Sequence, residues 1–377
     1  MQIMRVRYLL TCWLFCQRKR TLVNSNCSTP AAVSTQKTHF EVITRLQKLI
    51  DAALEPSLPA LRGRPYALLD MPNHSNVGDS AIWAGEMAWL QRNVGKAPSY
   101  VCETNADDAE LKSHLIGGPI LLHGGGNFGD VWPHYQEFRE RIISHHSDVS
   151  ILQLPQSIYF SKEAALERTI AVLRKAPHFR LLVRDIESYN LALTHFGCEV
   201  ALCPDMAFAL GPLERLGEPN LNVLLLLRTD KESARKRALC EELPAGWEQA
   251  DWLDDDPDMH KRALFNTRAS AVLSLNLQKL SKLSRRKHYY EQVSRERMER
   301  GTKLLSRAKF IITDRLHVHI VSTLMGIPHC FLDNSYGKIL RFSKAFDTRW
   351  AGSYHASSLT DAMACAHRWL AEKDTVL

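Results

Sequence analysis

A length of 377 residues excludes a single ordinary core and favours two domains, and 45% hydrophobic with 24% charged residues is the balance of a soluble globular protein. Lysine and arginine outnumber aspartate and glutamate by 48 to 41, a formal charge of +7. That is a mild bias toward anionic partners and does not discriminate phosphates, lipids and nucleic acid. The nine cysteines contain no Cys-x-x-Cys pair, which argues for reduced thiols in a cytosolic protein and against disulfides or a zinc site.

The N-terminal stretch MQIMRVRYLLTCWLFCQRKR has a basic start, but its apolar run, Tyr8 to Cys16, is too short to span a bilayer. Gln-Arg-Lys-Arg comes next, not a small-residue cleavage site, so residues 1–38 read as a disordered tail and linker or a weak interfacial anchor. Phe40, Ile43, Leu46, Leu49 and Ile50 then fall at helical spacing and open the folded part.

Beyond that helix, short apolar runs alternate with longer helical patterns. They are Tyr66–Leu69, Pro119–Leu122, Ile151–Leu154, Phe179–Val183, Val200–Leu202, Val223–Leu227, Ala271–Leu275, Phe310–Ile312 and Cys330–Leu332. Runs of this kind, bounded by Gly, Pro and Asp, predict βα units and parallel sheets. The alternation restarts after LGPLERLGEPN, which places a boundary near 211–220, with lobes over 39–215 and 216–377. The fold class expected is α/β, two Rossmann-like lobes. The basic stretch 281–303, with its interspersed glutamates, reads as a solvated helix and not as a nucleic-acid site; acidic DWLDDDPD at 251–258 reads as an exposed loop and not as a metal site.

In open parallel sheets ligands bind beyond the carboxyl ends of strands, so the residues just after each run carry the information. After Leu69 stand Asn73, Asn76, Asp79 and Ser80, before a helix expected to open at Ala81; Asp79 or Ser80 would cap it and expose backbone N–H groups to an anion or a sugar hydroxyl. After Leu122 stands HGGGNFGD. Its glycines formally satisfy G-x-G-x-x-G, but the next run ends in Pro155-Gln156-Ser157 without the acidic residue a dinucleotide site wants. Gly125 and its neighbours fit close approach of a backbone or ligand, with Asn127 and Asp130 directed into a cleft.

Arg184 directly follows a strand, where it suits an oxyanion clamp or a surface pair with Asp185. Arg315 and His317 follow Ile312 at a strand-to-helix junction, and LDNSYGKI adds Asp333, Asn334, Tyr336 and Lys338 to the same rim. His319 is two residues from His317 and on a helix faces elsewhere, so no joint metal site is expected.

Taken together, NHSNVGDSAIW, LHGGGNFGDVWP, LPQSI, VRD, PDMAFAL and TDRLHVHIVSTLMGIP with LDNSYGK resemble the motifs of the polysaccharide pyruvyl transferases, in order across residues 73–338. The resemblance implies a glycosyltransferase-B-like architecture with the active site in the cleft between the lobes. It implies transfer of pyruvate from phosphoenolpyruvate to two hydroxyls of an exopolysaccharide or its precursor, as a cyclic ketal. Arg184, Arg315, Leu316 (through its backbone) and His317 then correspond to the phosphoenolpyruvate site, with His317 as general acid. The resemblance thus implies phosphoenolpyruvate as donor substrate and a step that requires neither a redox cofactor nor an obligatory metal.

The chain departs from the family's Trp-Pro-x-His-Gln pattern: it has Tyr135 where that His is expected, after His134. This leaves the acceptor side open, with Asp79, Asp130 and His134 as candidates for deprotonating the sugar hydroxyl. The expected partners are phosphoenolpyruvate and a saccharide, lipid-linked or polymeric, with no nucleic acid. A cytoplasmic location is expected, and a lipid-linked acceptor would bring the protein to the inner membrane face. A nucleotide-sugar glycosyltransferase on the same fold is the nearest rival, and a non-catalytic protein binding anionic glycans or membranes is a weaker one.

Overall fold

Thr38 accepts from the backbone N–H of Glu41 while the Glu41 carboxylate accepts from Thr38 N, a capping box that starts helix α1 (His39–Leu54). Val42, Ile43, Leu46 and Ile50 form its buried face, whereas Phe40 and Leu49 are exposed. The computed structural model describes residues 37–228, 243–273, 281–333 and 337–375. The expectations for the tail up to residue 36, for Asn334 and for Tyr336 lie outside the described residues.

After α2 (Leu58–Gly63) the first sheet is built from β1 (Ala67–Leu69), β2 (Tyr100–Cys102), β3 (Ile120–Leu122), β4 (Gly125–Gly129), β5 (Ile151–Tyr159), β6 (Phe179–Val183) and β7 (Glu199–Leu202). The order is β2-β1-β3-β5-β6-β7, with β4 pairing the far half of β5, and every pairing is parallel. The crossovers carry α3 (Val77–Asn93), α4 (Asp108–Leu115), α5 (Pro133–His145), α6 (Glu163–Leu173) and α7 (Ile186–His195).

The second sheet is β8 (Leu221–Leu226), β9 (Trp247–Ala250), β10 (Ala308–Thr313), β11 (His329–Phe331) and β12 (Ser353–His355), in the order β12-β11-β10-β8-β9, again all parallel. Its helices are α8 (Met259–Leu273), α9 (Lys282–Ser306), α10 (Leu316–Leu324), α11 (Lys338–Phe346) and α12 (Leu359–Asp374). The protein is therefore α/β with two parallel sheets, as expected for two Rossmann-like lobes. Each sheet reverses its strand order next to its first strand, at β1/β3 and at β8/β10, the crevices where such sheets bind ligands.

Two sequence expectations change. Ala271–Leu275 was expected to be a strand, but residues 271–273 complete α8, and 274–275 lie outside the described residues; a short apolar run has no period of its own, and the helical pattern upstream decides it. Helix α3 opens at Val77, four residues before Ala81, because Asn76 and not Asp79 or Ser80 accepts the Gly78 N–H, at 3.1 Å.

One apolar core runs between the sheets. It joins Leu68, Leu121 and Leu152 of the first to Leu224, Ile311 and Phe331 of the second through α3, α9, α10 and the 3-10 segment Met206–Leu210. Gly85 of α3 lies against that segment so closely that a Cβ would stand 1.9 Å from the Met206 carbonyl oxygen. Among the described residues no helix is long and apolar enough to cross a membrane.

Candidate active site

A cavity of about 420 Å³ lies at the carboxyl ends of both sheets. Asp70 follows β1, His123 and Gly124 follow β3, and Arg184 follows β6; Arg228, Trp252 and Arg315 follow β8, β9 and β10. The cavity therefore sits where the two switch points face each other.

Arg184, Asp205 and His317 form one cluster. The Arg184 guanidinium donates from Nη1 to Asp205 Oδ2 and from Nε to Ser157 Oγ at 3.0 Å, and is almost wholly buried. His317 Nε2 stands 3.4 Å from the same Asp205 oxygen and 3.5 Å from Arg184 Nη1. Asp205 Oδ1 accepts from the Ala207 N–H. Burial would raise the Asp205 carboxyl, but Arg184 and His317 outweigh it and hold the group well below the usual carboxylate range. Asp185, the alternative partner for Arg184, instead caps α7 by accepting from Ser188 N.

The start of α3 presses on this cluster. A Cβ on Gly78 would stand 2.2 Å from His317 Nδ1, so only glycine lets the imidazole of the second sheet rest on the first turn of α3. Asn76 Nδ2 donates to Asp79 Oδ2 at 2.8 Å, and His74 Nε2 is 3.5 Å from the same oxygen. Burial raises Asp79, yet His74, His317 and the neighbouring cations leave it below its ordinary value.

The HGGGNFGD segment is a strand exchange. β5 kinks at Pro155 with a register shift between Gln153 and Gln156, and both glutamine side chains donate to the His123 carbonyl, at 2.8 and 3.0 Å. They satisfy the backbone where the chain leaves β3 and becomes β4. Gly126 is the contact point: a Cβ there would lie 2.9 Å from Arg184 Nη2 and 3.4 Å from Lys338 Nζ. Asn127 Oδ1 accepts from buried Arg139 at 2.6 Å and from Gln156 at 2.9 Å, which turns its Nδ2 toward Asp70 Oδ2, 3.4 Å away. Behind them, His123 Nδ1 pairs with buried Glu86 of α3 at 2.8 Å; burial lowers this histidine, and Glu86 more than restores it.

Arg315 donates to Asp251 Oδ2 at 2.9 Å and starts α10. Trp252, Leu253 and Leu316 complete the apolar wall. The charge runs are solvated only in part: Asp254, Asp256 and Asp258 are exposed as expected, but Asp255 and two arginines of α9 are joined here. Arg297 of α9 is fully buried and donates to Asp255 at 2.8 Å and to the Pro72 carbonyl at 3.3 Å; Arg300 donates to Asp255, to Ser75 O and to Trp252 O. The basic helix thus pins the acidic loop, and with it Trp252, against the 72–75 turn. Opposite charges in separate segments neutralise each other only once the fold brings them together, so neither segment shows it alone.

Of the residues singled out from the sequence, Asn76, Asp79, Asn127, Tyr135, Arg184, Arg315, Leu316, His317 and Lys338 line the cavity. Asp130, His134 and Gly125 do not. Asp130, expected to be catalytic, accepts from Ser161 N, Ser161 Oγ and Lys162 N, which outweigh burial and keep its carboxyl low; these bonds tie β4 to the start of α6, outside the cavity lining. His134 is exposed and bonds to Thr104 Oγ1. Gly125, with φ of 125°, backs onto Ile82 of α3. His319 turns away, as its position on α10 requires: its Nδ1 meets His329 Nε2 at 2.8 Å in the core, and burial holds both rings well below the ordinary histidine range. Asp70, His123, Arg228 and Trp252 were missed. Asp70 and Arg228 stand within two residues of a strand end, where the rule that found Arg184 could have found them; Trp252 follows a strand with no apolar run.

Fold and site together define a two-lobed α/β enzyme with a cationic cleft between its sheets. The family model described as Polysaccharide pyruvyl transferase matches residues 76–336, and the chain belongs to that family. It is 32% identical over 300 residues to "Pyruvyl transferase 1" of Schizosaccharomyces pombe (strain 972 / ATCC 24843), covering 74% of this chain and 69% of that protein. It is also 32% identical over 274 residues to EpsO of Bacillus subtilis (strain 168), provisionally described as a pyruvyl transferase, covering 71% and 81%. A crystal structure of an uncharacterised protein from Klebsiella pneumoniae subsp. pneumoniae NTUH-K2044 has the same fold, with TM-score 0.54 at 16% identity over 82% of this chain and 99% of that one.

Proposed function

We propose that the protein transfers pyruvate from phosphoenolpyruvate to two hydroxyls of one saccharide, forming a cyclic ketal and releasing phosphate. The observation that carries this reading is the convergence of Arg184, Arg315, Lys338 and His317, from both sheets, on one cavity. Phosphoenolpyruvate presents a carboxylate and a phosphate on a three-carbon frame, and guanidinium groups fixed by Asp205 and Asp251 are held ready to bind two such anions.

The reaction begins when a proton is delivered to C3 of the enol, leaving an oxocarbenium-like centre at C2. His317 supplies that proton, its Nε2 held 3.4 Å from Asp205 Oδ2. One sugar hydroxyl adds to C2, phosphate leaves, and the second hydroxyl closes the ring. Of two hydroxyl protons released, one balances the proton taken up by C3 and the other leaves on phosphate. The acceptor is a saccharide of a polymer or of its precursor, and Tyr135 stands on its side of the cavity.

Calorimetric titration of the full chain with phosphoenolpyruvate tests the donor site. Saturable binding that is lost in Arg315→Ala, with no response to uridine diphosphate, is the expected result; binding of uridine diphosphate alone would transfer the site to a nucleotide-sugar reaction. His317→Ala should bind phosphoenolpyruvate near wild-type affinity and release no phosphate in the presence of a saccharide.

A further inference from the structure

Among the described residues two carboxylates line the cavity, and they differ in what holds them. Asp79 is occupied by Asn76 and faces His74. Asp70, only 3% exposed, has an Oδ1 with no hydrogen-bond partner among the described residues, and its Oδ2 has one long contact from Asn127. Leaving a buried oxygen unmatched is costly, and such atoms in native proteins call for a reason. The backbone adds a second cost: Asp70 has φ of 70°, the left-handed region that non-glycine residues rarely adopt. The chain thus accepts an uncommon backbone conformation and an unmatched carboxyl at the end of β1, on the cavity wall.

We propose that Asp70 is the general base that takes the proton from the first attacking saccharide hydroxyl. This rests on the pyruvyl-transfer reading above. As the hydroxyl oxygen forms its bond to C2, its O–H bond breaks and the proton passes to the Asp70 carboxylate. When the second hydroxyl closes the ketal, the C2–O bond to phosphate breaks and that second proton leaves with phosphate. Asp70 and His317 then restore their protonation states by exchanging one proton through solvent. The acid comes from the second sheet and the base from the first, so an acceptor bound between them meets both.

The environment suits a base working near neutrality. Burial pushes Asp70 up to about 6, against the pull of His123, Arg139 and the Asn127 hydrogen bond, with Glu86 adding to the rise. Tyr135 of α5 and Cys102 of β2 are the other titratable groups that face it. Asp79 and Asp205 are held low by their partners and make poorer bases.

The test is Asp70→Asn in the full chain, because asparagine tolerates the left-handed backbone as aspartate does. Phosphate release from phosphoenolpyruvate is measured with a panel of methyl hexopyranosides, alongside calorimetric phosphoenolpyruvate binding and thermal unfolding. The expected result is a kcat reduced about 100-fold or more, a phosphoenolpyruvate Kd within about twofold of wild type, and loss of the acidic limb of the kcat/KM profile near pH 6. Thermal stability of the variant should rise at pH 7.5 because the buried charge is gone. A variant that keeps its acidic limb, stays within a few fold of wild-type kcat, or gains no stability overturns the base assignment alone. Wild-type protein that neither binds phosphoenolpyruvate nor releases phosphate overturns the pyruvyl-transfer reading and the base with it.

Discussion

Asp70 makes a stability prediction apart from catalysis. A carboxyl at about 6 when folded and 3.8 when unfolded corresponds to about 3 kcal/mol. The sign is unfavourable to folding. Below pH 4 both states are protonated and nothing is lost; between pH 4 and 6 the unfolded chain ionises first and stability declines, reaching a plateau above pH 6. Urea unfolding of Asp70→Asn should therefore show a gain of roughly 2–3 kcal/mol at pH 7.5 that vanishes near pH 4. Asp205 behaves oppositely. Its depressed carboxyl contributes stability above the unfolded value of 3.8, lost as pH falls toward the lower folded value. Asp205→Asn should cost about 3–5 kcal/mol at pH 7 by stranding the buried Arg184, and calorimetry should show weakened phosphoenolpyruvate binding as well.

At the scale of elements, α9 is a strut behind the cavity. Its Arg297 and Arg300 share Asp255, and through it they place Trp252 beside the cavity. Arg297→Ala should destabilise by about 1–3 kcal/mol, because the buried guanidinium's bonds to half-buried Asp255 and to the Pro72 carbonyl are lost while Arg300 stays on Asp255. Asp255→Ala should cost a similar amount, and the double variant much less than the sum, in a denaturant-based mutant cycle. Asp130→Ala should lower stability by about 1–2 kcal/mol through the freed Ser161 and Lys162 donors while leaving phosphoenolpyruvate affinity unchanged; a turnover loss with intact stability would return it to the chemistry.

The sequence disclosed unequal parts of this. Strands such as Phe179–Val183 and Phe310–Ile312 were visible as apolar runs cut off by polar residues, and Arg184, Arg315 and His317 were visible because they stand where those runs stop. β5 was read as ending at Leu154 because proline usually closes a strand, whereas here Pro155 sits at a register shift and the strand continues to Tyr159. β9 and β12, Trp-Glu-Gln-Ala and Ser-Tyr-His, carry no apolar run, unlike the similarly short β1 and β3 that were read as strands. The state of Asp70 was illegible for a deeper reason. Its character comes from burial and from a missing partner, and neither is a property of residue type or spacing.

On the scale of the whole molecule, the cavity draws on both sheets, yet the core beneath it is continuous: Leu121 and Leu152 belong to the same apolar cluster as Leu224 and Ile311, and Gly85 seats α3 on the backbone of 206–210. A chain severed in the 211–220 connection would expose that cluster on both fragments, and the pieces would be soluble only as a permanent pair. The same continuity constrains descent. A new acceptor preference can arise by changing the loops at the strand ends, but not by exchanging one sheet for that of a relative, since the exchanged half would arrive without a matching partner for α3. The two sheets, joined through one core, stand or fall together.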